Sequence, residues 1–231
     1  MRQSRLRQPH LWSLIMDKKR ILIYGDSNTH GFRVDNGLRF AKDVRWPGVC
    51  QNLLGEEYEI LEEGLNGRTT CHDEFGMEFR NGLAYIEPCI RTHLPLDAVC
   101  VMLGSNDLKR DFQQTAESIA ENAARVLAKA RWVVDSKYPD NTCQYVLISP
   151  PEIGPDMLLG PFAWDFEGQK TIETSKDFAP AFAQQADLHD FLFFDAAKHA
   201  KPCSIDGLHL DPENHRSLGE AFAAWVKENL K

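Results

Sequence analysis

The sequence predicts one α/β domain built on a five-stranded parallel sheet, and three observations carry that prediction. Short apolar runs rich in β-branched and aromatic residues alternate with longer segments of helical periodicity, the pattern of successive βαβ units. Three of these runs break into polar turns holding Ser, Gly or Asn, where open parallel sheets present their ligand-binding loops. The 231 residues are 43% hydrophobic and 26% charged, enough for one substantial core, with no linker to divide it. Parallel strands with right-handed crossovers and helices on both faces make a flavodoxin-like three-layer α/β/α sandwich.

Taken in order, residues 1–17 read as a loosely ordered extension and residues 18–231 as the single domain. Arg2, Arg5 and Arg7 precede a short apolar run at 11–15, but that run is short for a signal peptide and no small-residue cleavage site follows. Residues 21–24, Ile-Leu-Ile-Tyr, form a first strand that breaks at Gly25-Asp26-Ser27. A loop over 34–42 leads to a helix opened by Trp46-Pro47, with proline at a tolerated first-turn position. Residues 58–64 form a second strand ending in a polar turn at 65–70 that contains Gly67. Helical spacing over 83–93 stops before Pro95, and the continuous apolar run 97–103 is a third strand closed by Gly104-Ser105-Asn106-Asp107. A long amphipathic helix over 115–138 carries Ile119, Val126, Leu127, Ala130 and Val134 on one side. A fourth strand over 144–149 ends at Pro150-Pro151. The connection 152–168 is rich in Pro and Gly yet strongly apolar, which predicts a pocket wall or a subunit contact. One helix over 170–188, a fifth strand over 191–196 and a helix started by Asp211-Pro212 complete the chain.

Composition excludes several functions. The net charge of -8, with no basic cluster beyond the first residues, argues against a nucleic-acid partner. No apolar stretch approaches the roughly 18 residues of a membrane span. The six cysteines form no C-x-x-C pair and sit largely in apolar runs, so they read as free thiols in a reducing, cytoplasmic setting. Eight scattered histidines give no metal-ligand spacing, and no cofactor motif is present; neither metal nor cofactor is expected.

The chemistry is expected on the rim where the strands end. A serine hydroxyl is a poor nucleophile until an imidazole accepts its proton, and that imidazole is best held by a carboxylate. Ser27, His209 and Asp206 suit those roles, the last two spaced to meet across one turn. The backbone N–H groups of Ser27 and Gly67 and the side-chain amide of Asn106 can converge on a developing oxyanion. Asp195, at the end of the fifth strand, is the rival acid, and His30 the lesser base. Asp26 and Asp107 read as turn-bonding residues, and Arg45 and Arg68 as buried ion-pair partners. Each motif alone is ordinary; a Gly-Asp-Ser turn is common. Four blocks in order at strand ends are not.

Those blocks, Gly25-Asp26-Ser27, the turn at Gly67, Gly104-x-Asn106-Asp107 and Asp206-x-x-His209, resemble the SGNH (GDSL-type) hydrolases. Val44-Arg45-Trp46 and the runs 62–70, 93–97 and 102–107 are similar to the bacterial arylesterase and acyltransferase branch. The resemblance implies a serine esterase for short-chain acyl esters, with Ser27, Asp206 and His209 as triad and Gly67 and Asn106 in the oxyanion hole. It implies a small-molecule ester as substrate and a large homo-oligomer, octamers being found in that branch. Acyl transfer or perhydrolysis through the same acyl-serine, and deacetylation of a sugar, are the enzymatic alternatives. A non-catalytic anion-binding module is the alternative outside enzymes. Asn28 and His30 depart from the apolar or aromatic residues usual beside the nucleophile, so with Trp164 they are the candidates for a more polar substrate-binding mouth.

Overall fold

The structure, a computed structural model, describes residues 18–230, so the extension expected at 1–17 lies outside the described residues. Strands β1 (Lys19–Gly25), β2 (Tyr58–Gly64), β3 (Ala98–Met102), β4 (Gln144–Ser149) and β5 (Leu192–Asp195) form one parallel sheet in the order β2-β1-β3-β4-β5. The order reverses between β1 and β3, which opens a crevice at the carboxyl ends of those strands. The register makes that crevice sharp. Gly25 pairs with Gly64 on one side and Met102 on the other, so three strands finish level and their turns leave the sheet side by side.

Both faces of the sheet are covered, as strands without a polar alternation require. Ile21, Ile23, Cys100 and Met102 pack under the helices α2 (Trp46–Leu54) and α7 (Pro212–Asn229). Leu22, Tyr24, Val99 and Val101 face α3 (Gly82–His93), α4 (Ala116–Lys137) and α6 (Phe178–His189). A capping box starts α4, with the Thr115 and Ser118 side chains each accepting the other's backbone N–H. Asp211 caps α7 by accepting the Asn214 N–H at 2.9 Å. Among the described residues all six cysteines are free, and no helix is long and apolar enough to cross a membrane.

One expectation changes. The helix over 170–188 is two helices, α5 (Gln169–Lys176) and α6, which meet at Asp177. Pro180 explains the break: it lacks the N–H that would bond the Lys176 carbonyl, and its ring collides with that carbonyl in a continuous helix. The connection 152–168 divides its work. Met157 and Phe166 are buried, while Leu159 and Trp164 lie exposed.

His215 of α7 sits fully buried where Phe40 and α2 meet it, its Nδ1 accepting the Trp46 N–H at 3.3 Å. Burial pushes its pKa down to about 4. The folded state therefore binds this proton later than the unfolded state, and the stability the neutral ring confers is lost as pH falls from about 6.5 towards 4. In denaturant titrations the advantage of wild type over His215→Gln is expected to shrink by about 3 kcal/mol between pH 7 and pH 4. A difference that stays constant over that range overturns the assignment.

Candidate active site

The site grows out of the way β1 ends. A Cβ on Gly25 would lie 2.1 Å from the Thr29 hydroxyl, so glycine is what lets the one-turn helix α1 (Ser27–His30) fold back against the strand. Asp26 caps that turn by accepting the Asn28 N–H at 3.0 Å. Ser27 thus stands at the start of a rigid turn above the crevice.

From the opposite end of the chain, the loop before α7 brings a histidine to it. Ser27 Oγ lies 2.9 Å from His209 Nε2, and His209 Nδ1 lies 2.5 Å from Asp206 Oδ2. Because an ionised carboxylate only accepts, Nδ1 carries the proton and Nε2 is left to accept the serine hydrogen. Gly207, at φ +62°, makes the reversal between acid and base; a Cβ there would lie 2.4 Å from the Met157 nitrogen. The other carboxylate oxygen, Oδ1, accepts the N–H groups of Leu208 and His209 at 2.9 Å each and the Cys203 thiol at 3.5 Å. Burial pushes the Asp206 carboxyl up, but the His209 hydrogen bond, its charge and the two backbone donors outweigh burial and hold it below the usual carboxylate range. Asp195 is elsewhere, accepting the Ala197 N–H at 3.1 Å and pairing with Lys198.

Gly67 and Asn106 border the same cavity as Ser27 and His209. The Asn106 amide is steered by donation to the Arg68 carbonyl at 3.1 Å and by a longer contact of 3.5 Å to Asp26. Asp107 is a turn residue, accepting the Thr70 N–H at 3.1 Å and the Thr70 hydroxyl. Burial raises the Asp26 and Asp107 carboxyls to about 6 and about 7. Arg45 is the expected ion-pair partner, 2.7 Å from Glu62. Arg68 is not: its Nη1 donates to the Gly25 and Glu63 carbonyls and its guanidinium lies 4.0 Å over the Tyr24 ring.

The three candidates for a polar mouth do not line the cavity. Successive side chains on a helical turn point about 100° apart, which turns Asn28 off the face of Ser27, and His30, one turn on, is held by its own contact behind the strand end. The Asn28 amide donates to the Leu208 carbonyl at 3.2 Å and accepts the Leu210 N–H at 3.0 Å, stitching the turn of Ser27 to both sides of His209. His30 Nδ1 meets the Gly64 carbonyl at 3.3 Å behind the turn, and Trp164 is 72% exposed.

Other residues build the wall. Phe32 and Phe162 put ring centroids 4.7 and 5.5 Å from His209, and Asn66, Arg80 and Lys109 supply a polar side. The cavity holds about 260 Å³, just below the range of about 300 to 1,000 Å³ usual for ligand sites. Among the described residues, Glu63, Cys89 and His93 are the one trio with ligand atoms within 4.8 Å of each other, on the α3 side and outside this cavity. There the Glu63 carboxylate already meets His93 Nε2 at 2.7 Å, and burial pushes the Cys89 thiol up to about 12, far from the thiolate a metal needs.

Residues 23–216 match the GDSL-like lipase/acylhydrolase family. The chain belongs to that family. It is accordingly a carboxylic ester hydrolase. The fold of this GDSL-type hydrolase is similar to that of an aryl esterase from M. smegmatis, with 35% identity over 92% of this chain and 100% of that one and a TM-score of 0.83. It is similar also to a carbohydrate acetylesterase from Sinorhizobium meliloti, with 32% identity over 91% and 99% of the two chains and a TM-score of 0.84. A lipase/acylhydrolase from Enterococcus faecalis, at 19% identity over 92% and 97% and a TM-score of 0.61, shares the fold. No curated protein matches the GDSL-type hydrolase significantly in sequence.

Proposed function

We propose that this hydrolase cleaves short-chain acyl esters through an acyl-Ser27 intermediate. The observation that carries the reading is the unbroken chain from Ser27 Oγ through His209 to Asp206, at 2.9 and 2.5 Å, opening on a cavity of about 260 Å³. As Ser27 Oγ attacks the ester carbonyl, His209 Nε2 takes its proton and Asp206 stabilises the imidazolium. The carbonyl oxygen, now negative, takes the N–H groups of Ser27 and Gly67 and the Asn106 amide as its donors, a role supported by the place of all three residues on the cavity wall. His209 then gives its proton to the departing alkoxide, the alcohol leaves, and a water deprotonated by the same nitrogen releases the acid. Phe32 and Phe162 against the imidazole keep bulk water from the developing charges.

Fluorophosphonate labelling followed by peptide mapping tests this directly. One phosphonyl group is expected on Ser27, and a label on any other residue defeats the reading. A second reading, an acetylated sugar as substrate, draws support from the polar side of the cavity and from the acetylesterase relative. Comparing kcat/KM for phenyl acetate and for acetylated monosaccharides separates the two.

A further inference from the structure

We propose that Glu74 is a positioning residue that braces the two arms of the oxyanion site against each other. The inference rests on the esterase reading and adds to it a residue outside the triad and the three donors. Gly67 lies on the turn after β2 and Asn106 on the turn after β3, and these turns sit on opposite sides of β1. The sheet fixes where the turns begin. Hydrogen bonds from the Asn106 amide to the Arg68 carbonyl and from Thr70 to Asp107 already join the two turns, and the gap that is left lies on the cavity side, where Arg80 and Lys109 stand.

Glu74 spans that gap through two cations. Its Oε2 accepts from Arg80 Nη1 at 2.9 Å and its Oε1 from Lys109 Nζ at 2.6 Å. The Arg80 side chain lies directly on the first arm: a Cβ on Gly67 would meet Arg80 Nε at 2.6 Å and Cζ at 2.7 Å. The Arg80 carbonyl also accepts the Thr69 N–H at 3.0 Å, tying residue 80 to the same turn. Lys109 belongs to the second arm, its N–H donating to the Asn106 carbonyl at 3.3 Å. One carboxylate therefore links the residue covering Gly67 to a residue three positions beyond Asn106.

Isolated ion pairs on an exposed surface contribute little, because solvent screens them and two long side chains must be ordered to make them. Here the three side chains are 22%, 25% and 13% exposed for Glu74, Arg80 and Lys109, and both oxygens of one carboxylate are occupied, so the network holds a geometry as well as a charge. Displacement of a catalytic group by about 1 Å costs on the order of 10²-fold, and an oxyanion donor is worth about 10²–10³-fold in rate. A brace on two donors acts within that range.

The test is a cycle of Glu74→Gln and Asn106→Ala, read as kcat and KM for p-nitrophenyl acetate with the melting temperature of every variant. In wild type, Glu74→Gln is expected to lower kcat roughly 10–100-fold with KM within about twofold. In the Asn106→Ala background, where the hole is already broken, the same change should cost under about threefold. Lys109→Met should lower kcat in the same way, and adding it to Glu74→Gln should cost nothing more. This second variant decides the matter if Glu74→Gln fails to fold. Equal losses from Glu74→Gln in both backgrounds, or a Lys109→Met enzyme with wild-type kcat, overturn the proposal. Ser27→Ala run beside them keeps the two ideas apart: turnover independent of Ser27 defeats the esterase reading, whereas Ser27-dependent turnover indifferent to Glu74 defeats only the brace.

Discussion

Ser27→Ala is expected to lose ester turnover by about 10⁴–10⁶-fold while keeping the fold of wild type. The loss is this large because nothing else stands in for the hydroxyl. Ser27 Oγ is the oxygen that His209 Nε2 can deprotonate, and it is the one hydroxyl among the residues lining the cavity. The fold survives because the backbone bonds of the turn, from the Gly31 and Phe32 N–H groups to the Ser27 carbonyl, do not use the side chain. The measurement is kcat/KM for p-nitrophenyl acetate together with circular dichroism and a thermal melt. A folded variant retaining more than about 1% of wild-type activity would sink the assignment.

Asp206→Asn is expected to lose about 10⁴-fold in kcat for a different reason. The amide that replaces the carboxylate is nearly the same shape, and its carbonyl oxygen is drawn to the position of Oδ1, where two backbone N–H groups and the Cys203 thiol require an acceptor. Its NH₂ then faces His209 Nδ1. That nitrogen must become the acceptor, and the ring proton moves to Nε2, the atom that has to receive the proton of Ser27. The base is still present but in the wrong tautomer. Turnover should recover in part as pH rises and hydroxide assumes the role of base, while melting changes little. A variant as active as wild type at neutral pH shows that Asp206 does not hold the tautomer.

The fold was legible because the strands of a parallel sheet are buried on both faces. The runs 97–103 and 144–149 are too continuous to be anything exposed, and Tyr58–Gly64 and Gln144–Ser149 emerge with the bounds their patterns suggest. Pro180 was the missed signal: apolar periodicity runs through it, and only its missing N–H reports the break. Within the site, Ser27, Gly67, Asn106, Asp206 and His209 stood out because each closes or follows a recognisable turn. The residues of the wall did not. Arg80 and Lys109 reach the cavity through an ion pair with Glu74, and Phe162 through the course of an irregular connection, neither of which leaves a period in the sequence. Asn28 misled because its place beside Ser27 suggested substrate, whereas a helical turn directs its amide to the backbone on either side of His209.

The level finish of β1, β2 and β3 makes hydrolysis a reporter of assembly. Residues 27, 67, 106 and 209 come from distant parts of the chain and become neighbours only once those three strands have zipped in register and the last loop has docked. A one-residue slip of β2 would leave every helix intact yet move the residue-67 amide by more than about 3 Å along the strand, roughly the rise per residue. In refolding, regained helicity should therefore precede regained turnover, and the interval between them times the closing of the sheet's centre.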